Sequence, residues 1–207
     1  MKLERFTILD SSLTAIIYTA GIIGIRFLPD FFLKTSFISI LIPLSLYLFR
    51  VKPKGKDILL ILSVYSIGFF AEWIGVRFGW LFGSYKYGDS LGIKLDGVPL
   101  IIGANWLLLS LVSREVISKL LNNKILIIIL SSILMVLIDF LIEPISDNLN
   151  FWIWENNIIP YSNYLDWFLI ALLNQTLFSF LGYKKDMFHW SLIYITILVL
   201  FFLTFYI

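Results

Sequence analysis

The chain has 207 residues, of which 59% are hydrophobic and only 14% charged, and its mean hydropathy is +0.91. Soluble domains run near ~45–50% apolar and ~25% charged, so this composition is that of an integral membrane protein. The lack of cysteine excludes disulfides and thiolate chemistry, the single His189 excludes a histidine-rich metal centre, and a net charge of +2 spread over short loops argues against nucleic acid.

Lipid cannot satisfy backbone N–H and C=O groups, and the long unbroken apolar runs are not the alternating pattern of barrel strands, so the spans are helices. Lys2 and Arg5 precede the first apolar run without a small-residue cleavage site after it, which reads as a retained first span over 13–28. The second, 37–49, is short and contains Pro43. Further spans are expected at 57–76, 98–117, 124–146, 164–182 and 189–207. The expected fold is all-α: one polytopic bundle of about seven transmembrane helices, multi-pass in the cell membrane. Eleven Lys and Arg residues fall on one side of this arrangement and five on the other, which places the N-terminus in the cytoplasm. Dropping the second span would set the basic cluster 50–56 opposite that of 114–124, so the charge bias favours seven.

This topology gathers three unusual segments at the outer end: the loop 77–97, the end of the fifth span at 139–144, and the connection 147–163, which has no Lys or Arg. Charged groups inside spans cost roughly 2.5–3.5 kcal/mol each at the helix centre, so each asks for a reason. Glu72, Asn105, Asp139 and Glu143 all fall within roughly 5–11 Å of the outer boundary, with Asp139 and Glu143 one helical turn apart on one face. Tyr65, Gly68, Glu72, Gly75 and Gly79 recur at a spacing of three or four, so the Glu72 face should meet protein. A purely structural alternative pairs Glu72 with Arg77 or Arg26 and the other carboxylates with what remains. Three carboxylates against two arginines on that side leave an acid in excess, which burial favours in its neutral form, a good proton donor in an apolar site.

Trp73, Trp80, Trp152, Trp154 and Trp167 cluster toward the same boundary, with Tyr85, Tyr87, Tyr161 and Tyr164 near them. An interfacial belt accounts for most of these, while a few can line a cleft against a polyene or a carbocation. The glycines of the loop, Gly83, Gly88, Gly92 and Gly97, mark tight turns but match neither a Walker loop nor a dinucleotide fingerprint. His189 opens the last span at the other end, as an interfacial residue.

The segments AEWIGVRFGWLFGSYKYGDSLGIKLDGVPLIIGANWLLL, MVLIDFLIEPISDNLNFWIWE and IPYSNYLDWF resemble the carotenoid biosynthesis protein family, which includes CruF-type carotenoid 1,2-hydratases and the bisanhydrobacterioruberin hydratases of haloarchaea. The resemblance implies cofactor-free and metal-free addition of water to the terminal C1–C2 double bond of an acyclic ψ-end group such as that of lycopene or γ-carotene. It makes the carotenoid and water the partners, in a lipid setting shared with other carotenoid-pathway enzymes. In that chemistry a Brønsted acid protonates C2 and water captures the tertiary cation at C1. The expected acid is Asp139 or Glu72, with Glu143 and Asn105 positioning water and Arg77 setting the carboxylates' charge. Trp73, Trp80, Tyr85, Tyr87, Trp106, Trp152, Trp154 and Asn163 are the expected substrate contacts, and a gap among the third, fourth and fifth helices the expected way in. Other readings remain: a different carotenoid end-group reaction, a small transporter using the carboxylates, or a membrane scaffold for pigment enzymes.

Overall fold

The computed structural model describes residues 2–206, with side chains from Phe6 onward. The basic side chains of Lys2 and Arg5 and the expected end of the last span at Ile207 lie outside the described residues. Eight α-helices follow one another: α1 (Lys2–Phe27), α2 (Pro29–Lys34), α3 (Ile38–Val51), α4 (Lys56–Phe78), α5 (Ile101–Leu120), α6 (Lys124–Ile142), α7 (Tyr161–Phe180) and α8 (Phe188–Leu203). Each of the seven expected spans is a helix. Among the described residues α1, α4, α5 and α6 are long and apolar enough to cross a bilayer, the last continuing through Ile145, whereas α3 and α8 are shorter apolar helices. The six-residue α2, opened by Pro29 at its first position, is an addition to the sequence reading.

Helix α5 is the axis of the bundle, packed against α3, α4, α6, α7 and α8. Its apolar residues occur all round rather than in one stripe, and Trp106, Leu107, Leu108, Leu109, Leu111 and Val112 are fully buried. Helix α1 packs on α3 and α8 and shows much of its surface outward. Asp10, buried on α1, accepts a two-pronged hydrogen bond from Arg50 near the end of α3, which fixes the two helices together.

Two helix ends differ from expectation for identifiable reasons. Helix α6 stops at Ile142 because Pro144 has no N–H to continue the ladder and disfavours helix for the residue before it. A 3₁₀ turn, Glu143–Ile145, follows. Helix α5 begins at Ile101 because Val98–Pro99 (β3) pairs instead with Lys94–Leu95 (β2) in a two-residue hairpin. Its turn, Asp96–Gly97, has positive φ at both positions (49° and 87°), the conformation for which the Asp-Gly pair is suited. A second ribbon joins two distant loops: Tyr85–Tyr87 (β1) lies antiparallel to Trp152–Trp154 (β4), with Tyr85 opposite Trp154 and Tyr87 opposite Trp152.

Candidate active site

Side chains alternate across a strand, so the pattern Tyr-Lys-Tyr on β1 and Trp-Ile-Trp on β4 sends two tyrosines and two tryptophans to the same face of the ribbon. That face covers the ends of α4 and α6. The hydroxyls of Tyr85 and Tyr87 donate to Glu72 Oε2 at 2.5 and 2.7 Å, and the indole N–H of Trp106, from α5, donates to Glu72 Oε1 at 2.9 Å. The indole N–H groups of Trp152 and Trp154 donate to Glu143 Oε2 at 3.0 and 2.6 Å. Asn163, in the first turn of α7, gives its amide N–H to Glu143 Oε1 at 2.9 Å and to Asp139 Oδ2 at 3.1 Å. The other oxygen of Asp139 is buried without a hydrogen-bond partner.

All three carboxyl groups are therefore buried, and every donor that reaches them is neutral. No arginine or lysine among the described residues pairs with them. Burial, the largest cause, pushes the Tyr85 and Tyr87 phenols well above the usual tyrosine range, so both stay protonated.

Close packing holds this arrangement. Gly68, one turn before Glu72, faces Trp106 so tightly that an added Cβ would sit 2.4 Å from the indole side chain. Trp106 in turn stacks on Trp167 of α7 with ring centroids 3.9 Å apart. Phe82 plugs the loop into this stack with a φ of 64°, an unfavourable conformation for a bulky residue, and its N–H is held by Asp166 on α7 at 2.7 Å.

Glu72 and Glu143 line a small chamber of about 20 Å³ together with Asn105, Tyr87 and Trp152. A volume of about 10–15 Å³ suffices for one water molecule. The chamber adjoins a larger apolar cavity of about 280 Å³, and the two share Ile102, Asn105 and Trp152 as walls. The larger cavity is bounded by α1, the segment from α2 into α3, α5 and α8, and its surface is largely aliphatic and aromatic. Asn105 stands at the junction, and its carboxamide makes no hydrogen bond to another of the described residues.

Residues 33–207 match the family described as carotenoid biosynthesis protein. The chain belongs to this family. A bisanhydrobacterioruberin hydratase of Haloarcula japonica is 30% identical over 199 residues, an alignment that covers 86% of this chain and 65% of that protein's length. The chain thus spans just under two-thirds of that relative. No solved structure matches it.

In this carotenoid biosynthesis protein the structure brings together Glu72, Asp139, Glu143, Asn105, Tyr85, Tyr87, Trp106, Trp152, Trp154 and Asn163. Three expected residues lie elsewhere. The side chain of Arg77 is 60% exposed and sits 3.9 Å from Asp96, because α4 turns it outward past the Glu72 face. Trp73 donates to Asp96 as well, at 2.8 Å. Trp80 is 76% exposed and stacks on Phe78. Arg26 donates to the Thr204 carbonyl, so neither arginine neutralises Glu72. The apolar cavity is lined mainly by α1, the α2–α3 segment, α5 and α8 rather than lying in the gap expected among α4, α5 and α6. Sequence reasoning missed Phe82 and Asp166 as supports. It also missed the ribbon, whose only signal is the pair of period-two triplets YKY and WIW.

Proposed function

We propose that the chain is a carotenoid hydratase that adds water to the terminal C1–C2 double bond of an acyclic ψ-end group by acid catalysis, without a cofactor. The observation that supports this most directly is the one-water chamber between Glu72 and Glu143, adjoining an apolar cavity in a member of a carotenoid biosynthesis family. The hydratase named for the Haloarcula japonica relative supplies the reaction class.

The apolar cavity is smaller than the ~300–1,000 Å³ of pockets that enclose drug-sized ligands. It suits one end of a polyene, with the remainder of the chain lying outside in lipid. The end group reaches Asn105, where the polar chamber begins. Three carboxyl groups with no cation among them retain a proton, since ionising all three would leave uncompensated buried charge. Of the three, Glu72 and Glu143 face the chamber, while Asp139 stands behind Asn163. We therefore assign Glu72 as the acid and give Asp139 the role of keeping a proton in the cluster through its proximity.

The Glu72 carboxyl proton is transferred to C2, the C1–C2 π bond breaks, and the positive charge develops at tertiary C1. The faces of Trp152 and Tyr87 and the carboxylates stabilise that charge. Water held by Glu143 and Asn105 attacks C1, and its proton passes to a carboxylate, which restores the cluster. The sum is substrate plus water giving a tertiary alcohol, with no redox change.

Co-expression in a bacterium that accumulates acyclic carotenoids such as lycopene tests the reading. The expected result is a pigment heavier by one water. Unchanged pigment from several acyclic substrates, with the protein present in the membrane, would refute it.

A further inference from the structure

A second polar cavity, of about 450 Å³, lies at the opposite end of the bundle, where α5 and α7 end and α6 and α8 begin. The hydration chemistry makes no use of it. Five cations line it, Arg114, Lys119, Lys124, Lys184 and Lys185, against the two acids Glu115 and Asp186. Internal pairing accounts for only part of this charge. Lys185 is held by Asp57 at 2.8 Å. Lys119 lies 3.8 Å from Asp186 with both side chains well exposed, a contact worth little. Glu115 is occupied by the Tyr47 hydroxyl at 3.0 Å and the Met187 N–H at 3.1 Å, and no lysine reaches it. Among the described residues, Lys124 and Lys184 have no carboxylate partner.

The floor of the cavity is built rather than merely charged. Arg114 is half-buried, with one guanidinium nitrogen 3.0 Å from Ser179 Oγ and another 3.4 Å from the Gln175 carbonyl and side-chain oxygens. The Ser118 and Ser179 hydroxyls face the same space, and Leu121, Ile127 and Phe188 make its apolar margin. A planar guanidinium set deep, flexible ammonium groups at the rim and hydroxyls between them form a donor set suited to phosphate oxygens.

We propose that this cavity binds a phosphate group, anchored by Arg114 and completed by Lys124 and Lys184. The same chemistry is offered by the headgroup of an anionic phospholipid and by free phosphate or diphosphate. The apolar margin and the position at the helix ends match a lipid whose acyl chains run down the bundle.

The test uses the full chain, purified in detergent and stripped of lipid. Binding of phosphatidylglycerol and of phosphatidylcholine is followed by native mass spectrometry, with inorganic phosphate and pyrophosphate as competitors, on wild type and on a Lys124→Gln/Lys184→Gln variant. Wild type should retain phosphatidylglycerol in preference to phosphatidylcholine. The variant should lose affinity for it by about thirtyfold, given about 1 kcal/mol for each lysine near an anionic lipid surface. Both lysines are exposed, so the variant should unfold at the wild-type temperature in the absence of lipid. Displacement of the lipid by phosphate or pyrophosphate assigns the site to a free anion, and failure to displace it assigns the site to the headgroup. Equal binding of the two lipids with no competition, or equal retention by wild type and variant, overturns the proposal.

Discussion

Replacing Glu72 and Glu143 by glutamine separates the proton from the hydrogen bonds, and the structure assigns each variant a different cost. A tyrosine hydroxyl can donate or accept, whereas an indole N–H can only donate. In Glu72→Gln the amide oxygen takes the Trp106 N–H, and the amide NH₂ meets the two tyrosine hydroxyls, which turn to accept. Every bond survives, so the fold should lose less than about 1 kcal/mol. In Glu143→Gln the oxygen is claimed by Trp152 and Trp154, which leaves the NH₂ facing the Asn163 amide donor. Turning Asn163 over only moves the mismatch to Asp139. One buried donor is orphaned, at about 1–3 kcal/mol. If Glu72 is the acid, as proposed, Glu72→Gln removes the transferred proton and conversion should fall by about 10²–10⁴-fold. The assay is the hydrated fraction of an acyclic carotenoid in co-expression, normalised to membrane content, beside thermal unfolding in detergent. Wild-type conversion by Glu72→Gln would refute its role as the acid. An unfolding temperature as low as that of Glu143→Gln would refute the hydrogen-bond accounting.

Arg77→Ala removes only an exposed pair with Asp96, so stability should change by less than about 0.5 kcal/mol and conversion should be unchanged; a large loss in the same assay would return the guanidinium to the mechanism. Gly68→Ala drives a methyl into Trp106 and should cost about 1–3 kcal/mol, read as a lower unfolding temperature. Asn105→Leu breaks no hydrogen bond, so the unfolding temperature should hold while conversion falls at least about tenfold, the low end for a group that orients a reactant. The folded-state pKa values of Tyr85 and Tyr87 are raised above the unfolded value near 10, so their contribution to stability is complete below about pH 10 and is lost as the pH climbs beyond it. Tyr87→Phe removes one such group and should flatten the fall in unfolding temperature above about pH 10, a change that a titration series measures directly.

The helices were legible because lipid-compatible runs and their basic flanks are long, redundant signals. Even the short, Pro43-containing segment is a helix, Ile38–Val51. The depth argument that grouped Glu72 with Asp139, Glu143 and Asn105 depended only on helix rise and on where each span ends. It therefore placed at one end side chains that the structure brings together. Arg77 was misplaced by the same reasoning, since five residues beyond Glu72 is a rotation of well over one turn, and proximity in sequence put it on a different face. The β1–β4 ribbon was opaque for another reason. Its strands are three residues each and lie more than sixty positions apart, so no local periodicity of useful length exists and only tertiary pairing reveals them. The location of the apolar cavity depended on how α1 and α8 pack against α5, which hydropathy does not encode.

The ribbon's alternation has a consequence for how the site comes into being. Tyr85 and Tyr87 arrive from one loop and Trp152 and Trp154 from another, and the two carboxylates they serve belong to helices inserted at different moments of synthesis. Until the strands zip together, Glu72 lacks its two tyrosine donors and Glu143 its two indole donors. A shift of one residue in that pairing would turn Lys86 and Ile153 inward. An ammonium beside Glu72 would hold it as a salt-bridged anion and extinguish the acid. On the proposed chemistry, activity would thus depend on the alignment of two three-residue strands.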